Sequence, residues 1–180
     1  MNIFDKAICA KLHMTTTTWG WFEYLMAVFA AMFNSEVLAF YWAIALVQLP
    51  WRISSFLAAL LIPGVTMTIV LPLKRMTGRD RPATYPPRAR VLRYDFRGKE
   101  KHKSMPSGDS AQAAAFWSYL AMNALVPWWV SVFLTLLTML ARVYYMCHYP
   151  TDTVVGALLG TFIALVADCT AKVFWPFFVS

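Results

Sequence analysis

Residues 110–177 read SAQAAAFWSYLAMNALVPWWVSVFLTLLTMLARVYYMCHYPTDTVVGALLGTFIALVADCTAKVFWPF, a largely apolar run whose clearest breaks are Pro127 and the passage around His148. A helix needs about 17 to 25 mostly apolar residues to cross the hydrocarbon of a bilayer. With that ruler the run divides into three spans, Ser110 to Val126, Pro127 to Met146 and Thr151 to Phe177. Towards the N-terminus three more stretches qualify, roughly Thr17 to Asn34, Glu36 to Trp51 and Arg52 to Leu73, the second being the shortest. Pro63-Gly64 and Pro127 are compatible with this, because neighbouring helices can satisfy the backbone groups a proline frees. The expected fold class is all-α: a polytopic membrane protein, a six-transmembrane-helix bundle forming a single domain over 1–180, with one long basic loop between spans three and four.

The composition agrees. Of 180 residues, 59% are hydrophobic and only 14% charged, too little polar surface for a soluble domain of this length. Eight Trp and eight Tyr suit a protein whose amphipathic rings settle where hydrocarbon meets headgroups. The N-terminal MNIFDKAICAKLHMTTTT lacks the apolar core and cleavage site of a signal peptide, so it is expected to stay. Ile3, Phe4, Ala7, Ile8 and Leu12 recur there at helical spacing, which predicts a short interfacial helix over residues 2–13. Cys9, Cys147 and Cys169 form neither a disulfide framework nor a metal pattern and read as small buried hydrophobes.

The net charge of +7 is unevenly spread. Between Lys74 and Lys103 there are eleven Lys or Arg against Asp80, Asp95 and Glu100. No nucleic-acid motif accompanies them, so the expected partners are the bilayer and an anionic lipid or phosphate. An odd number of predicted spans precedes this segment. It therefore falls on the same membrane face as the loop joining spans five and six, opposite the N-terminus.

Three motifs meet at that face. KRMTGRDRP places Lys74 seven residues before Arg81, with Pro82 following; Pro106-Ser107-Gly108 stands just before span four; and ARVYYMCHYPTD places Arg142 six before His148 and Asp152 four after it. Phosphoryl transfer requires a site that holds the phosphoryl oxygens, spreads their charge and aims a nucleophile in line. Lys74, Arg81 and Arg142 supply positive charge, and a guanidinium can grip two oxygens at once. Ser107 and Gly108 open a helix, where backbone N–H groups and the helix dipole favour an anion. A neutral imidazole is a competent nucleophile when its other nitrogen is hydrogen-bonded, and Asp152 is close enough in sequence to do this for His148.

The order and spacing resemble the type 2 phosphatidic acid phosphatase family, which includes isoprenoid diphosphate phosphatases and vanadate haloperoxidases. Its pattern is K-x6-RP, PSGH, and SR-x5-H-x3-D, and the match runs from Lys74 to Asp152. The resemblance implies an enzyme that hydrolyses a lipid phosphate or diphosphate through a phosphohistidine at His148, with no metal and no cofactor. Two positions depart from the pattern: Asp109 stands where PSGH has histidine, and Ala141 where serine precedes the arginine.

In the family the PSGH histidine is assigned as the acid that protonates the leaving oxygen, so Asp109 is the candidate for that role here, with His102 as an alternative. An alkoxide needs a proton badly, whereas phosphate leaving from a diphosphate does not. A weakened acid therefore favours a polyisoprenyl diphosphate as substrate, with a phosphatidic acid or phosphatidylglycerol phosphate monoester as the runner-up. The missing hydroxyl at Ala141 removes at most one hydrogen bond, about 0.5 to 1.5 kcal/mol. Two further readings stand beside hydrolysis: a lipid phosphotransferase, and a catalytically silent protein that binds anionic lipid.

Outside the motifs, Glu23 and Asp168 are expensive in hydrocarbon. Asp168 falls about 24 Å along its helix from Asp152 and is expected to pair with Lys172. Gly156 and Gly160 have the small-xxx-small spacing that lets helices pack closely within one chain. Orientation has two readings. The positive-inside rule places the basic loop in the cytoplasm, and the family habit places the site at the lumenal or extracytoplasmic face. Nothing in the sequence bears on oligomeric state.

Overall fold

The computed structural model describes residues 3–14, 20–33, 35–48, 53–82 and 103–179. Among them are seven α-helices and no strand: α1 (Ile3–Met14), α2 (Gly20–Met32), α3 (Ser35–Gln48), α4 (Ile53–Thr77), α5 (Gly108–Met122), α6 (Trp128–Tyr144) and α7 (Pro150–Val179). The all-helical membrane class expected from the sequence is the class observed.

α5 is the centre of the frame. It is buried from Gly108 almost to its end, and it packs most extensively on α7 and then on α6. Its alanines and α7's glycines permit this approach. A Cβ on Gly160 would stand 1.9 Å from Ala111 O, and one on Gly156 only 2.3 Å from Ser107 O. The glycine pair therefore brings two helix backbones together inside one chain. On the other side of α5, Phe33, Trp42, Phe116 and Tyr119 form an aromatic core. Gln112 reaches from α5 to Pro63 O at 2.9 Å, tying it to the proline turn of α4.

The polarity of the bundle is inverted relative to a soluble protein. α6 turns Ser131, Thr135 and Thr138 inward and leaves Trp129, Val132, Phe133 and Leu136 more than half exposed. Leu158 and Phe162 on α7 are likewise over 60% exposed. A helix gains nothing by hiding such side chains from lipid tails, so interiors are left to small and hydrogen-bonding residues.

Among the described residues two helices, Leu60–Thr77 and Pro150–Val173, are long and apolar enough to cross a membrane alone. α2 and the Val37–Val47 part of α3 are inclined at 81°, and together count as a third span if taken as one bent unit. The predicted spans one and two thus correspond to helices of 13 and 14 residues. At 1.5 Å per residue the described part of each is about 20 Å long.

α1 forms where a short helix was predicted, and it is docked on α6 and α7. Asp5 and Cys9 face inward, while Ile3 and Phe4 are exposed. Of the three cysteines expected to be buried, Cys9 and Cys147 are, but Cys169 is exposed. The same inversion explains the difference, since a small apolar thiol is at home on a lipid-facing flank. Asp168 and Lys172 pair at 2.6 Å, one turn apart on α7.

Candidate active site

The C-terminal ends of α4 and α6 and the N-terminal ends of α5 and α7 lie together, and the three motifs occupy those four ends. α4 runs four residues beyond the predicted end of span three, so Lys74 sits in its last turn, buried. Gly78 then stops the helix. Its φ of +58° is a left-handed conformation that glycine adopts without penalty, and its N–H closes on Lys74 O at 3.2 Å. The two sides of the long loop are joined at its base by Ser104 N to Arg79 O at 2.7 Å and Thr77 Oγ1 to Met105 O at 2.6 Å.

The turn from α6 to α7 carries the histidine. Met146 is left-handed, with φ 54°, and the N–H groups of Cys147 and His148 fold back onto Arg142 O at 3.0 and 3.3 Å. Pro150 opens α7, where its missing N–H costs nothing. Two residues on, Asp152 reaches back through Oδ2 to the Tyr149 N–H at 2.9 Å, as an acidic residue does in a capping box.

The fully buried His148 ring is held differently from the sequence expectation. Asp152 Oδ2 lies 3.8 Å from Nδ1, outside hydrogen-bond range, whereas Ser104 O lies 2.7 Å from it. A carbonyl oxygen only accepts, so Nδ1 carries a proton, and in the neutral ring the lone pair is on Nε2. Asp152 acts one step back, accepting from the Ser104 hydroxyl through Oδ2. The spacing from His148 to Asp152 indicated proximity, but the turn geometry interposes Ser104.

Arg79, which lies inside the first motif without being one of its spaced residues, organises the other side of Asp152. Nη1 donates to Asp152 Oδ1 at 2.7 Å and to Thr151 Oγ1 at 2.7 Å, Nη2 donates to Asp5 Oδ2 at 2.6 Å, and the guanidinium lies 4.3 Å over the Tyr149 ring. Asp5 also accepts from Thr151 N at 3.2 Å and Thr151 Oγ1 at 2.7 Å. Burial pushes the Asp5 carboxyl up, but the hydrogen bonds from Arg79 and Thr151 together outweigh it and hold it below the usual carboxylate range. Burial also works against the Arg79 charge, and the two aspartates more than restore it. Burial raises the Tyr149 phenol even with Arg79 over its ring. Burial, with the nearby Asp5 and Asp152 carboxylates, pushes the Cys9 thiol up to about 11, which keeps it neutral.

At the start of α5, Ser107 is the N-cap, its Oγ accepting from Ser110 N at 3.3 Å. Its own N–H, expected from the sequence to face an anion, is directed to Asp152 O at 2.9 Å, so it joins α5 to α7. Gly108 packs on Met67, whose Cε would lie 3.4 Å from an added Cβ. Asp109 sits one residue further, with Oδ2 2.8 Å from Nη2 of Arg142. The Arg142 side chain is wholly buried, and its Nη1 donates to Ala30 O at 2.8 Å. Its Nε and Nη2 find no aligned acceptor among the described residues, so the pair with Asp109 is ionic, and donor capacity remains on the guanidinium.

Lys74, Arg81, Ser107, Gly108, Asp109, Arg142, His148 and Asp152 are thus all placed at these four helix ends. Arg81 touches the third motif directly, Nη1 to Cys147 O at 3.3 Å. His102 lies outside the described residues. Motif spacing passed over Ser104, Arg79 and Asp5. Arg79 stood in view as one basic residue among many, Ser104 contributes chiefly a backbone carbonyl that no residue type encodes, and Asp5 is far away in the chain.

An apolar, lipid-facing helical frame with cations and a tautomer-defined histidine at one end defines a membrane enzyme of phosphate chemistry. A family model described as the PAP2 superfamily matches residues 52–175. The chain belongs to the PAP2 superfamily. As a membrane member of that superfamily it is a lipid phosphatase. Two solved structures share the fold. One is the first transmembrane PAP2-type phosphatidylglycerolphosphate phosphatase from Bacillus subtilis, with a TM-score of 0.71 and 20% identity over 94% of this chain and 85% of that one. The other is Aquifex aeolicus LpxE, with a TM-score of 0.68 and 21% identity over 92% of this chain and 95% of that one. Among curated proteins, no sequence match was found.

Proposed function

We propose that this lipid phosphatase acts preferentially on a lipid diphosphate of the polyisoprenyl class, by a phosphohistidine route that needs no metal. Nε2 of His148 attacks the terminal phosphorus and forms the N–P bond. The bridging P–O bond breaks, its electrons leaving with the lipid monophosphate. Water then attacks the phosphohistidine, releasing phosphate and returning the lone pair to Nε2. Lys74, Arg81 and Arg142 neutralise the phosphoryl oxygens. The observation that carries the nucleophile is the Nδ1 contact to Ser104 O, because it assigns the lone pair to Nε2.

The diphosphate preference is supported by the pairing of Asp109 with Arg142. In that pair Asp109 is engaged as an anionic partner, not set out as a proton donor, which favours a leaving group that departs without protonation. The habit of the family supports the extracytoplasmic face for the site. An impermeant thiol reagent applied to intact cells tests this, using Met76→Cys, at an exposed position of α4, in a Cys169→Ser background.

Phosphate release by the purified full-length chain decides the reading, assayed on polyisoprenyl diphosphate, phosphatidic acid and phosphatidylglycerol phosphate, for wild type and His148→Ala. Faster cleavage of the monoesters overturns the substrate assignment, and undiminished release by the variant overturns the nucleophile.

A further inference from the structure

Arg79 is forked between two carboxylates. One terminal nitrogen serves Asp152 Oδ1 and the other serves Asp5 Oδ2. Left with a single carboxylate, a guanidinium favours the bidentate arrangement in which both nitrogens grip both oxygens. On Asp152 that grip would displace the present donors of the second oxygen, the Ser104 hydroxyl and Tyr149 N at 2.9 Å. Ser104 in turn presents the carbonyl that holds His148 Nδ1.

We infer that Asp5, on the N-terminal helix α1, is a positioning residue of the active site: by occupying Nη2 of Arg79 it stops Arg79 from capturing both oxygens of Asp152, and so preserves the Asp152–Ser104–His148 arrangement. Three observations carry this together. Asp5 is fully buried although it belongs to a short terminal helix. Among the described residues, every hydrogen bond it accepts through its carboxylate comes from Arg79 or Thr151, the two residues that flank Asp152. Finally, α1 docks on α6 and α7, the helices whose connecting turn carries His148. Seating of α1 is thereby coupled to the tautomer of a histidine well over a hundred residues away in the chain.

The link to turnover rests on the His148 reading proposed above, so the test has two arms. In the first, kcat and KM of the full-length chain are measured on polyisoprenyl diphosphate for wild type, Asp5→Ala, Asp5→Glu and Asp5→Ala/Arg79→Lys. Asp5→Ala is expected to lower kcat by about three- to tenfold through misplacement of the nucleophile, with KM within about twofold. Asp5→Glu should recover most of the loss. Lysine is a point charge that cannot chelate two oxygens, so the double variant should be faster than Asp5→Ala alone.

In the second arm, 15N-histidine spectra in detergent micelles, assigned by difference from His148→Ala, read the tautomer without any substrate. Wild type should show His148 protonated at Nδ1, and Asp5→Ala a mixture of tautomers. An unchanged spectrum in Asp5→Ala overturns the inference, as does a loss of kcat that tracks a fall in melting temperature and is not relieved by Arg79→Lys. If no lipid is turned over by wild type, the functional reading fails while the spectra still judge Asp5.

Discussion

Arg142 and Asp109 form an ion pair in the interior of the helical frame, Nη2 to Oδ2 at 2.8 Å, with the arginine wholly buried. Two charges taken from water in this way are strongly interdependent, and removing one strands the other at a cost of about 3–5 kcal/mol. Asp109→Ala is therefore expected to lower the melting temperature of the purified protein. Asp109→His should preserve folding better, since a neutral imidazole can accept from the guanidinium in the resting enzyme. It should also raise the rate on a monoester relative to a diphosphate by about tenfold or more, measured as the ratio of kcat/KM values, because it returns a proton donor to the site.

The hydrogen bond from His148 Nδ1 ends on a backbone oxygen, which makes the neighbouring side chains unequal. Ser104→Ala removes the hydroxyl that Asp152 holds but keeps the carbonyl, so phosphate release should fall by no more than about tenfold, the loss of one hydrogen bond of about 0.5 to 1.5 kcal/mol. Asp152→Ala also cuts the tie to Arg79 and should be worse. His148→Ala should abolish turnover. Single-turnover rates on one substrate give the ranking.

Gly160 and Gly156 have no room for a methyl group. The added carbon would lie 1.9 Å and 2.3 Å from backbone oxygens of α5, which cannot move aside as a side chain can. Gly160→Ala and Gly156→Ala should each force α7 away from α5 and cost about 1–3 kcal/mol or more. Gly156→Ala should lose more activity than its stability loss explains, because Ser107 couples α5 to Asp152 at that level. Melting temperature and kcat measured on the same preparations separate the two effects. Gly64→Ala, where nothing lies within 4 Å, is the matched control.

The Asp5 carboxyl is held below its ordinary pKa, and the sign of its pH dependence follows. An unfolded aspartate titrates near about 3.9. The folded group is lower, so its contribution to stability is complete above that value and is lost as pH falls through the folded pKa. The difference in melting temperature between wild type and Asp5→Asn should be constant from pH 7 to about 5 and shrink below about pH 4. A difference that grows on acidification contradicts the assigned charge state.

Metal removal provides a further check. The cations of this site are side chains, so prolonged treatment with a chelator is expected to leave phosphate release within about twofold of the untreated enzyme, as measured by initial rates. A loss that added divalent ion restores contradicts the metal-independent route.

The helical class, the three motifs and their common end of the bundle were legible in the chain because each depends on short-range pattern. Apolar length marks a membrane helix wherever it occurs, and spacings such as Lys74 to Arg81 or Arg142 to His148 place residues on known turns of a helix or loop. Gly156 and Gly160 were readable for the same reason, as a four-residue repeat of small side chains. The 81° inclination between α2 and the Val37–Val47 part of α3 was not legible, because apolar content sets no angle between two helices.

The sequence by itself determined a basic, phosphate-binding end on an apolar helical frame and the histidine that serves it, because charge, hydropathy and spacing are properties of residues in order. Only the tertiary structure decided what each charge faces. It put Ser104 O on His148 Nδ1 where Asp152 was expected, gave Asp109 to Arg142, and closed Arg79 between Asp152 and an aspartate of α1. Hydrogen bonds and ion pairs form over about 3 Å in space between groups that can be any distance apart in the chain, and a backbone carbonyl carries no side-chain signature by which it can be anticipated.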